Sequence, residues 1–297
     1  MKTLISTLSF VALLGASAIA GQKIPDSHKI SGFAIGAQAY TFNRFTVFEA
    51  IEKTDQAGGK VIEFFPGQAL SPEERTVKWG HNSPDDVVEK VKAKLEKHKI
   101  LPVNYGVVGG KDEAEWRKIF EFAKKLNLYG ITTEDVTKLD IIEKLVKEFD
   151  IKVGIHEHGK RANDASYKIW DPNYVLSLVK DRDPRMGACA DTGHWATSGV
   201  KPLDGIKILK GRIVSAHLKE RTEIGKGLPD QVYGTGVSDI AGILNELKSQ
   251  GFEGNISIEY ENNWDHSVPD VAQCIGFVRG WGAASGSGRA AAVASSK

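Results

Sequence analysis

Four of the eight histidines of this 297-residue chain lie in or next to short β-rich segments that also carry acidic residues. The set consists of His156, His158, His194 and His217, with Glu134, Asp191 and Glu259. Imidazole and carboxylate groups that converge need a cation, protons or a substrate to offset their desolvation and repulsion. Mixed nitrogen and oxygen ligands suit Mn, Zn, Co or Fe better than Ca. These residue types predict one divalent metal, with Mg also open and a metal-free polar site as the alternative.

Eight β-rich segments alternate with segments of helical periodicity, such as PDDVVEKVKAKLEKH. Strands are predicted at 33–42, 60–65, 101–108, 128–135, 152–159, 186–195, 213–220 and 255–261. Eight βα units in a domain of this size predict an α/β fold, a single (β/α)8 TIM barrel. An open doubly wound sheet is the alternative, but the first strand is not followed by the Gly-rich turn typical of its nucleotide site.

Alternation along each strand predicts which side chains face the barrel interior. Where Val153 and Ile155 face the helices, His156 and His158 face inward. The same rule turns Val103, Tyr129 and Val214 outward. It turns inward Gln38, Glu63, Asn104, Thr132, Glu134, Cys189, Asp191, Ser215, His217, Lys219, Glu259 and Glu261. These polar residues lie near the carboxyl ends of their strands, where barrel enzymes carry their chemistry.

Several ordered motifs resemble the xylose isomerase-like TIM barrel family of sugar (phosphate) isomerases and epimerases. They are AIGAQAYTF and KVIEFFPGQ near the start, then DTGHW, AHLKE, YGTGVSDI and GFEGNISIEYEN. The similarity extends from about residue 33 to residue 281. The family holds its metal with Glu, Asp, His and Glu from the fifth to eighth strands. The resemblance therefore implies Asp191, His217 and Glu259 as ligands, with His156 at the first position.

The chain departs from the epimerase pattern at the fifth strand, where IHEHG replaces the glutamate of the family's acid/base pair. Glu157 is adjacent, but alternation turns it outward. Glu134 and His158 are therefore the candidates for the base, and Glu134 is also a candidate fifth ligand. A structural hydrogen-bonding role is the alternative for both residues.

The remaining candidates concern the substrate. The resemblance implies that His194 contacts it and that Lys219 neutralises negative charge during the reaction. Glu63 and Glu261 face inward and Trp195 offers a ring for sugar stacking, so we expect these three residues to bind substrate as well.

The predicted reaction is proton abstraction from a sugar through an enediolate, with the metal bound to adjacent hydroxyl and carbonyl oxygens. Returning the proton gives isomerisation or epimerisation. The first alternative is a keto-glycoside lyase or hydrolase that uses the same site. The second is a non-catalytic sugar-binding barrel.

The two ends of the chain differ from the barrel region. Residues 1–20 combine Lys2, an apolar run and small residues at Ala18 and Ala20, which predicts a signal peptide. The protein is then exported, periplasmic or extracellular, and its sugar or glycoside unphosphorylated. Residues 282–297 are small and polar and predict a disordered tail, which leaves 21–281 as the barrel domain.

The charge balance and the cysteine content limit which partners and cross-links are expected. With 39 Lys and Arg against 38 Asp and Glu, the charge gives no reason to expect nucleic acid. No segment has the length of a membrane span. Export permits Cys189 and Cys274 to pair, but the apolar surroundings of Cys189 favour two buried free thiols. The oligomeric state is left open.

Overall fold

A closed barrel of eight parallel strands forms the centre of the protein in the computed structural model, which describes residues 23–286. The strands are β1 Ala34–Gln38, β2 Val61–Phe64, β3 Leu101–Tyr105, β4 Gly130–Thr133, β5 Lys152–His156, β6 Met186–Asp191, β7 Ile213–His217 and β8 Asn255–Ile258. Each strand pairs with the next, and β8 pairs with β1. The predicted (β/α)8 TIM barrel is confirmed, and the open sheet is excluded.

Helices surround the barrel and cover its strands. They are α1 Val47–Gln56, α2 Asp85–His98, α3 Glu113–Lys125, α4 Leu139–Phe149, α5 Pro172–Val179, α6 Thr192–Thr197, α7 Pro202–Ile208, α8 Ile240–Ser249 and α9 Val268–Ala284. Local capping fixes where several of them begin. Thr46, for example, accepts the backbone N–H of Glu49, whose carboxylate accepts the N–H of Thr46 in return.

The ends of the chain fall largely outside the described residues. The predicted signal peptide, 1–20, lies wholly outside them. Helix α9 continues to Ala284, so the predicted tail does not begin at Gly282, and the tail beyond residue 286 is outside the description. Within residues 23–286, no helix combines the length and apolar character that a membrane crossing requires.

The sixth predicted strand, 186–195, is too long. Strand β6 ends at Asp191, and α6 starts at the next residue. The cause is local, because the Asp191 carboxylate accepts the backbone N–H of His194 at 2.8 Å and so caps the helix. Residues after Asp191 therefore follow helical rather than strand periodicity.

The predicted outward orientation of Val103, Tyr129 and Val214 is wrong. These residues form a buried apolar cluster at the amino end of the barrel. Its members are Ile24, Ala34, Val61, Val103, Tyr129 and Val214. Register shifts between β2 and β3 and between β6 and β7 leave Val103 and Val214 as extra residues, which reverses their direction. We call this set the amino-end cluster.

Both cysteines match the sequence expectation. Cys189, on β6, and Cys274, on α9, are buried free thiols. Burial raises the pKa of the Cys274 thiol to about 12, so it stays protonated at neutral pH.

Candidate active site

Four side chains from consecutive strands converge at the carboxyl end of the barrel. His156, Asp191 and His217 are the last residues of β5, β6 and β7, and Glu259 directly follows β8. One nitrogen or oxygen atom of each lies within 4.8 Å of the others. His156 Nε2 is 3.5 Å from Asp191 Oδ2, and His217 Nδ1 is 3.3 Å from Glu259 Oε2. We call these four residues the ligand cluster, since they are the predicted metal ligands.

The atoms of the ligand cluster suit a divalent metal. His156 Nε2, Asp191 Oδ2 and His217 Nδ1 are buried and have no hydrogen-bond partner within residues 23–286. Such atoms are costly to bury unless another group satisfies them. Two imidazole nitrogens and two carboxylate oxygens match the preferences of Mn, Zn, Co or Fe. The cluster could therefore hold one such ion.

The charged groups of the ligand cluster and its neighbours shift one another's pKa values. Burial alone would lower the pKa of His156, but its contacts with Asp191 and Glu134 raise that pKa to about 10. Burial alone would raise the pKa of Asp191, but His194 and Lys219 hold it well below its usual value. Each of these shifts favours the ionised form of its group, and a metal that bound there would have to displace any proton on the imidazole nitrogen that it used.

Lys219 lies beside the cluster rather than in contact with the cavity. Its Nζ is 2.8 Å from Glu259 Oε2 and 3.3 Å from Asp191 Oδ2, and it donates a hydrogen bond to Glu261. Burial alone would lower the pKa of Lys219, but these carboxylates raise it well above its usual value. Lys219 is therefore already paired with carboxylates and does not line the cavity, and its expected role in neutralising charge during the reaction stays a prediction.

Glu134 is placed next to a ligand rather than in the ligand set. Its Oε1 is 3.0 Å from His156 Nδ1, which leaves His156 Nε2 to face Asp191. A carboxylate on the far nitrogen of a metal-binding histidine fixes the tautomer and orientation of the ring. Glu157 is fully buried away from the cavity, and burial raises its pKa well above its usual value. No glutamate thus replaces His156 in the cluster.

A cavity of about 320 Å³ opens above the ligand cluster, a volume at the lower end of small-molecule sites. Its lining residues are Gln38, Tyr40, Phe65, Pro66, Val107, Glu134, His156, His158, His194, Glu259 and Glu261. Tyr40 packs edge-on against Phe65 and Trp264, with ring centroids 5.3 and 6.0 Å away. Neither Tyr40 nor Phe65 was among the predicted site residues, although Phe65 directly follows β2 and Tyr40 comes two residues after the end of β1, which was the available signal.

Besides Glu134 and the predicted ligands His156 and Glu259, three more of the predicted functional side chains line this cavity: His158, His194 and Glu261. The rings of His158 and His194 lie 4.2 Å apart between centroids. His158 Nδ1 is buried without a hydrogen-bond partner within the described residues. The roles of these residues remain predictions, but the structure brings them to the space that a substrate would occupy.

Two predicted substrate contacts are corrected because they do not line the cavity. Glu63 is fully buried inside the barrel, where it accepts a hydrogen bond from Ser257 and lies 3.1 Å from His217 Nε2. It points inward, as expected, but one residue before the end of β2 and therefore below the cavity. Trp195 is fully buried against Gly205 of α7. Its direction follows from α6, which turns it away from the side of His194.

The structure thus defines an α/β barrel whose carboxyl end could hold a metal ion. Comparison with known proteins identifies the family to which it is similar. Residues 136–279 match the xylose isomerase-like TIM barrel family. A crystal structure of an uncharacterized protein from Parabacteroides distasonis is 32% identical, with a TM-score of 0.67, over 84% of this chain and 98% of that one. The chain belongs to the xylose isomerase-like TIM barrel family.

More distant structures share the fold. A D-tagatose 3-epimerase-like protein is 16% identical, with a TM-score of 0.64, over 83% of this chain and 96% of that one. A D-allulose 3-epimerase from Methylomonas sp. in complex with D-allulose is 14% identical, with a TM-score of 0.62, over 88% of this chain and 98% of that one. A search of curated proteins found no match.

Proposed function

We propose that the protein is an exported, divalent-metal-dependent isomerase or epimerase of a non-phosphorylated sugar. The observation that carries the proposal is the ligand cluster at the floor of the cavity. Family membership supports it, as does the fold shared with a D-allulose 3-epimerase that binds D-allulose. When bound, the metal supplies a Lewis acid that polarises sugar oxygens and acidifies the neighbouring C–H.

Among the candidate bases, the geometry favours His158 over Glu134. Both Glu134 oxygens are engaged, one by His156 Nδ1 and the other by the Tyr167 hydroxyl. Burial alone would raise the pKa of Glu134, but His156 lowers it, which makes this carboxylate a weaker base. His158 lines the cavity, and its Nδ1 has no hydrogen-bond partner within residues 23–286. We assign His158 the removal of the proton from the sugar carbon, a step common to isomerisation and epimerisation, and Glu134 the orientation of His156.

The charge of the cavity favours an uncharged sugar. Glu134, Glu259 and Glu261 line it, and no Lys or Arg does so within residues 23–286. A phosphate group is normally bound by Arg, Lys or backbone N–H groups, and near these carboxylates it would be repelled. The lining of the cavity and the predicted signal peptide thus support the same substrate class on separate grounds.

A keto-glycoside lyase or hydrolase is the second candidate, and the aromatic wall favours it. Tyr40 and Phe65 both line the cavity and pack edge-on against each other. Sugar rings present apolar faces that pack on aromatic side chains. A second ring of a glycoside would rest there while the keto sugar lies above the ligand cluster. Both candidate functions begin with removal of a proton from a sugar carbon. They differ in the next step, because only the glycoside reaction releases the second sugar or other substituent.

The test measures metal content and hydrogen exchange together. Protein purified without chelator is analysed for metal, then incubated in D2O with free ketoses, ketose phosphates or keto-glycosides and followed by NMR. We expect about one metal per chain, and deuterium at a sugar carbon for the unphosphorylated substrates only. The product separates isomerase from glycoside lyase.

Two histidine variants provide the matched comparison. His217→Ala removes a proposed ligand and should abolish both metal binding and exchange. His98→Ala removes a histidine that pairs with Asp55 on the outer surface and should leave both unchanged. A wild-type protein with neither metal nor exchange would reject the enzyme proposal and favour a sugar-binding barrel.

A further inference from the structure

A long connection follows the first proposed ligand. After His156 the chain forms no helix or strand until α5 begins at Pro172. We call residues 157–171 the β5–α5 loop. Loops of this length within a compact domain usually have a function. Much of the loop is exposed, including Lys160 and Arg161.

The β5–α5 loop returns to the site through one side chain. The Tyr167 hydroxyl donates a hydrogen bond to Glu134 Oε2 at 3.2 Å. The other oxygen of the same carboxylate, Oε1, is 3.0 Å from His156 Nδ1. Glu134 therefore links Tyr167 to His156. Because both of its oxygens are hydrogen-bonded, the carboxylate cannot rotate freely.

Contacts within the loop hold Tyr167 in this position. The Arg161 guanidinium lies over the Tyr167 ring, 3.7 Å from its centroid. The backbone N–H of Tyr167 donates to the Asp164 carbonyl, and the Asp164 carboxylate accepts both the N–H and the hydroxyl of Ser166. The conformation of the loop thus determines where the hydroxyl points.

We propose that Tyr167 is a positioning residue that acts through Glu134 on His156, and that it couples the β5–α5 loop to metal binding. The orientation of a ligating imidazole depends on the partner of its second nitrogen, and loss of such a partner typically costs about 10–100-fold in metal affinity. Coupling is reciprocal, so a metal that needs this orientation also stabilises the loop that supplies it. This inference rests on the proposed metal site.

The first test compares two tyrosine variants with Co²⁺ as the metal. Tyr167→Phe removes only the hydroxyl and should weaken Co²⁺ binding about 10-fold or more. Tyr174→Phe, on α5 and outside the cavity lining, should not. The visible absorption of bound Co²⁺ should change in Tyr167→Phe, because the imidazole orientation changes. Equal Co²⁺ affinity in Tyr167→Phe and wild type would overturn the inference.

The second test reads the loop itself by trypsin cleavage at Lys160, Arg161 and Lys168. Co²⁺ should slow cleavage there in the wild type, and this protection should be lost in Tyr167→Phe. A purely structural tyrosine would accelerate cleavage equally with and without Co²⁺ and leave metal affinity unchanged. That result also counts against the coupling.

A double-variant comparison tests the route. In a Glu134→Ala background, Tyr167→Phe should have no further effect on Co²⁺ affinity, because the group that transmits it is gone. An equal loss in both backgrounds would show that the tyrosine does not act through Glu134. If the wild type binds no metal at all, the proposed function itself fails, which distinguishes that outcome from failure of the coupling alone.

Discussion

The two ends of the barrel interior differ in kind. The amino end holds the apolar amino-end cluster, whereas the carboxyl end holds the ligand cluster and Lys219. Single strands carry both, since β7 places Val214 near its start and His217 at its end. Burying the charged groups costs free energy that apolar burial elsewhere must offset. One short strand therefore contributes to the apolar core at one end and to the candidate site at the other.

The largest loss of stability is expected when a charged side chain is placed at the apolar amino end. Val214→Asp buries a carboxylate among the apolar side chains of the amino-end cluster, and should cost about 4 kcal/mol in the free energy of unfolding. Val237→Asp is the matched control at an exposed valine and should change it by less than about 0.5 kcal/mol. Thermal and denaturant unfolding measure both. Equal stability of the two variants would contradict the assignment of Val214 to the core.

At the carboxyl end, the corresponding change is Lys219→Met. It leaves the carboxylates of Asp191, Glu259 and Glu261 without their ammonium partner, so the metal-free protein should lose about 3 kcal/mol. Added Mn²⁺ or Zn²⁺ should raise the melting temperature more in this variant than in the wild type, because a cation offsets the same carboxylates. Lys90→Met, which removes an exposed ion pair with Glu74, should have little effect.

A smaller effect at the amino end is a dependence of stability on pH, which arises from Asp183 and Arg185. Hydrogen bonds from Arg185 lower the pKa of Asp183 to about 2, against an ordinary value of 3.8. The pair therefore stabilises the fold above about pH 4, and this contribution, about 1 kcal/mol, is lost as the pH falls towards 2. Asp183→Asn should remove this acid dependence, whereas Asp181→Asn, at an exposed position, should retain it. Parallel acid profiles for Asp183→Asn and wild type would contradict the prediction.

The sequence was sufficient to predict the barrel and the convergence of His156, Asp191, His217 and Glu259. Strand alternation and the common direction of parallel strands determine both. It was not sufficient for Val103 and Val214, because a register shift is a property of two paired strands and leaves no mark on either alone. Trp195 was misplaced because one capping carboxylate changed the local period from strand to helix.

The contact between Tyr167 and Glu134 could not be predicted for a different reason. Nothing in the spacing between His156 and Tyr167 indicates that the loop turns back to the site. Its path depends on several weak contacts, including the stacking of Arg161 and the turn at Asp164. Weak contacts of this kind have no periodicity from which a sequence pattern could be recognised.

The Asp191 carboxylate has a consequence for the choice of ion. Its Oδ1 accepts the N–H of His194, and its Oδ2 faces the other members of the ligand cluster. Because the carboxylate is planar and rigid, a displacement of Oδ2 towards a bound ion would also turn Oδ1. The first turn of α6, which carries His194, is attached to that oxygen. A bound ion that displaced Oδ2 would therefore also move a cavity-lining imidazole, so ions of different radius would give the cavity different shapes.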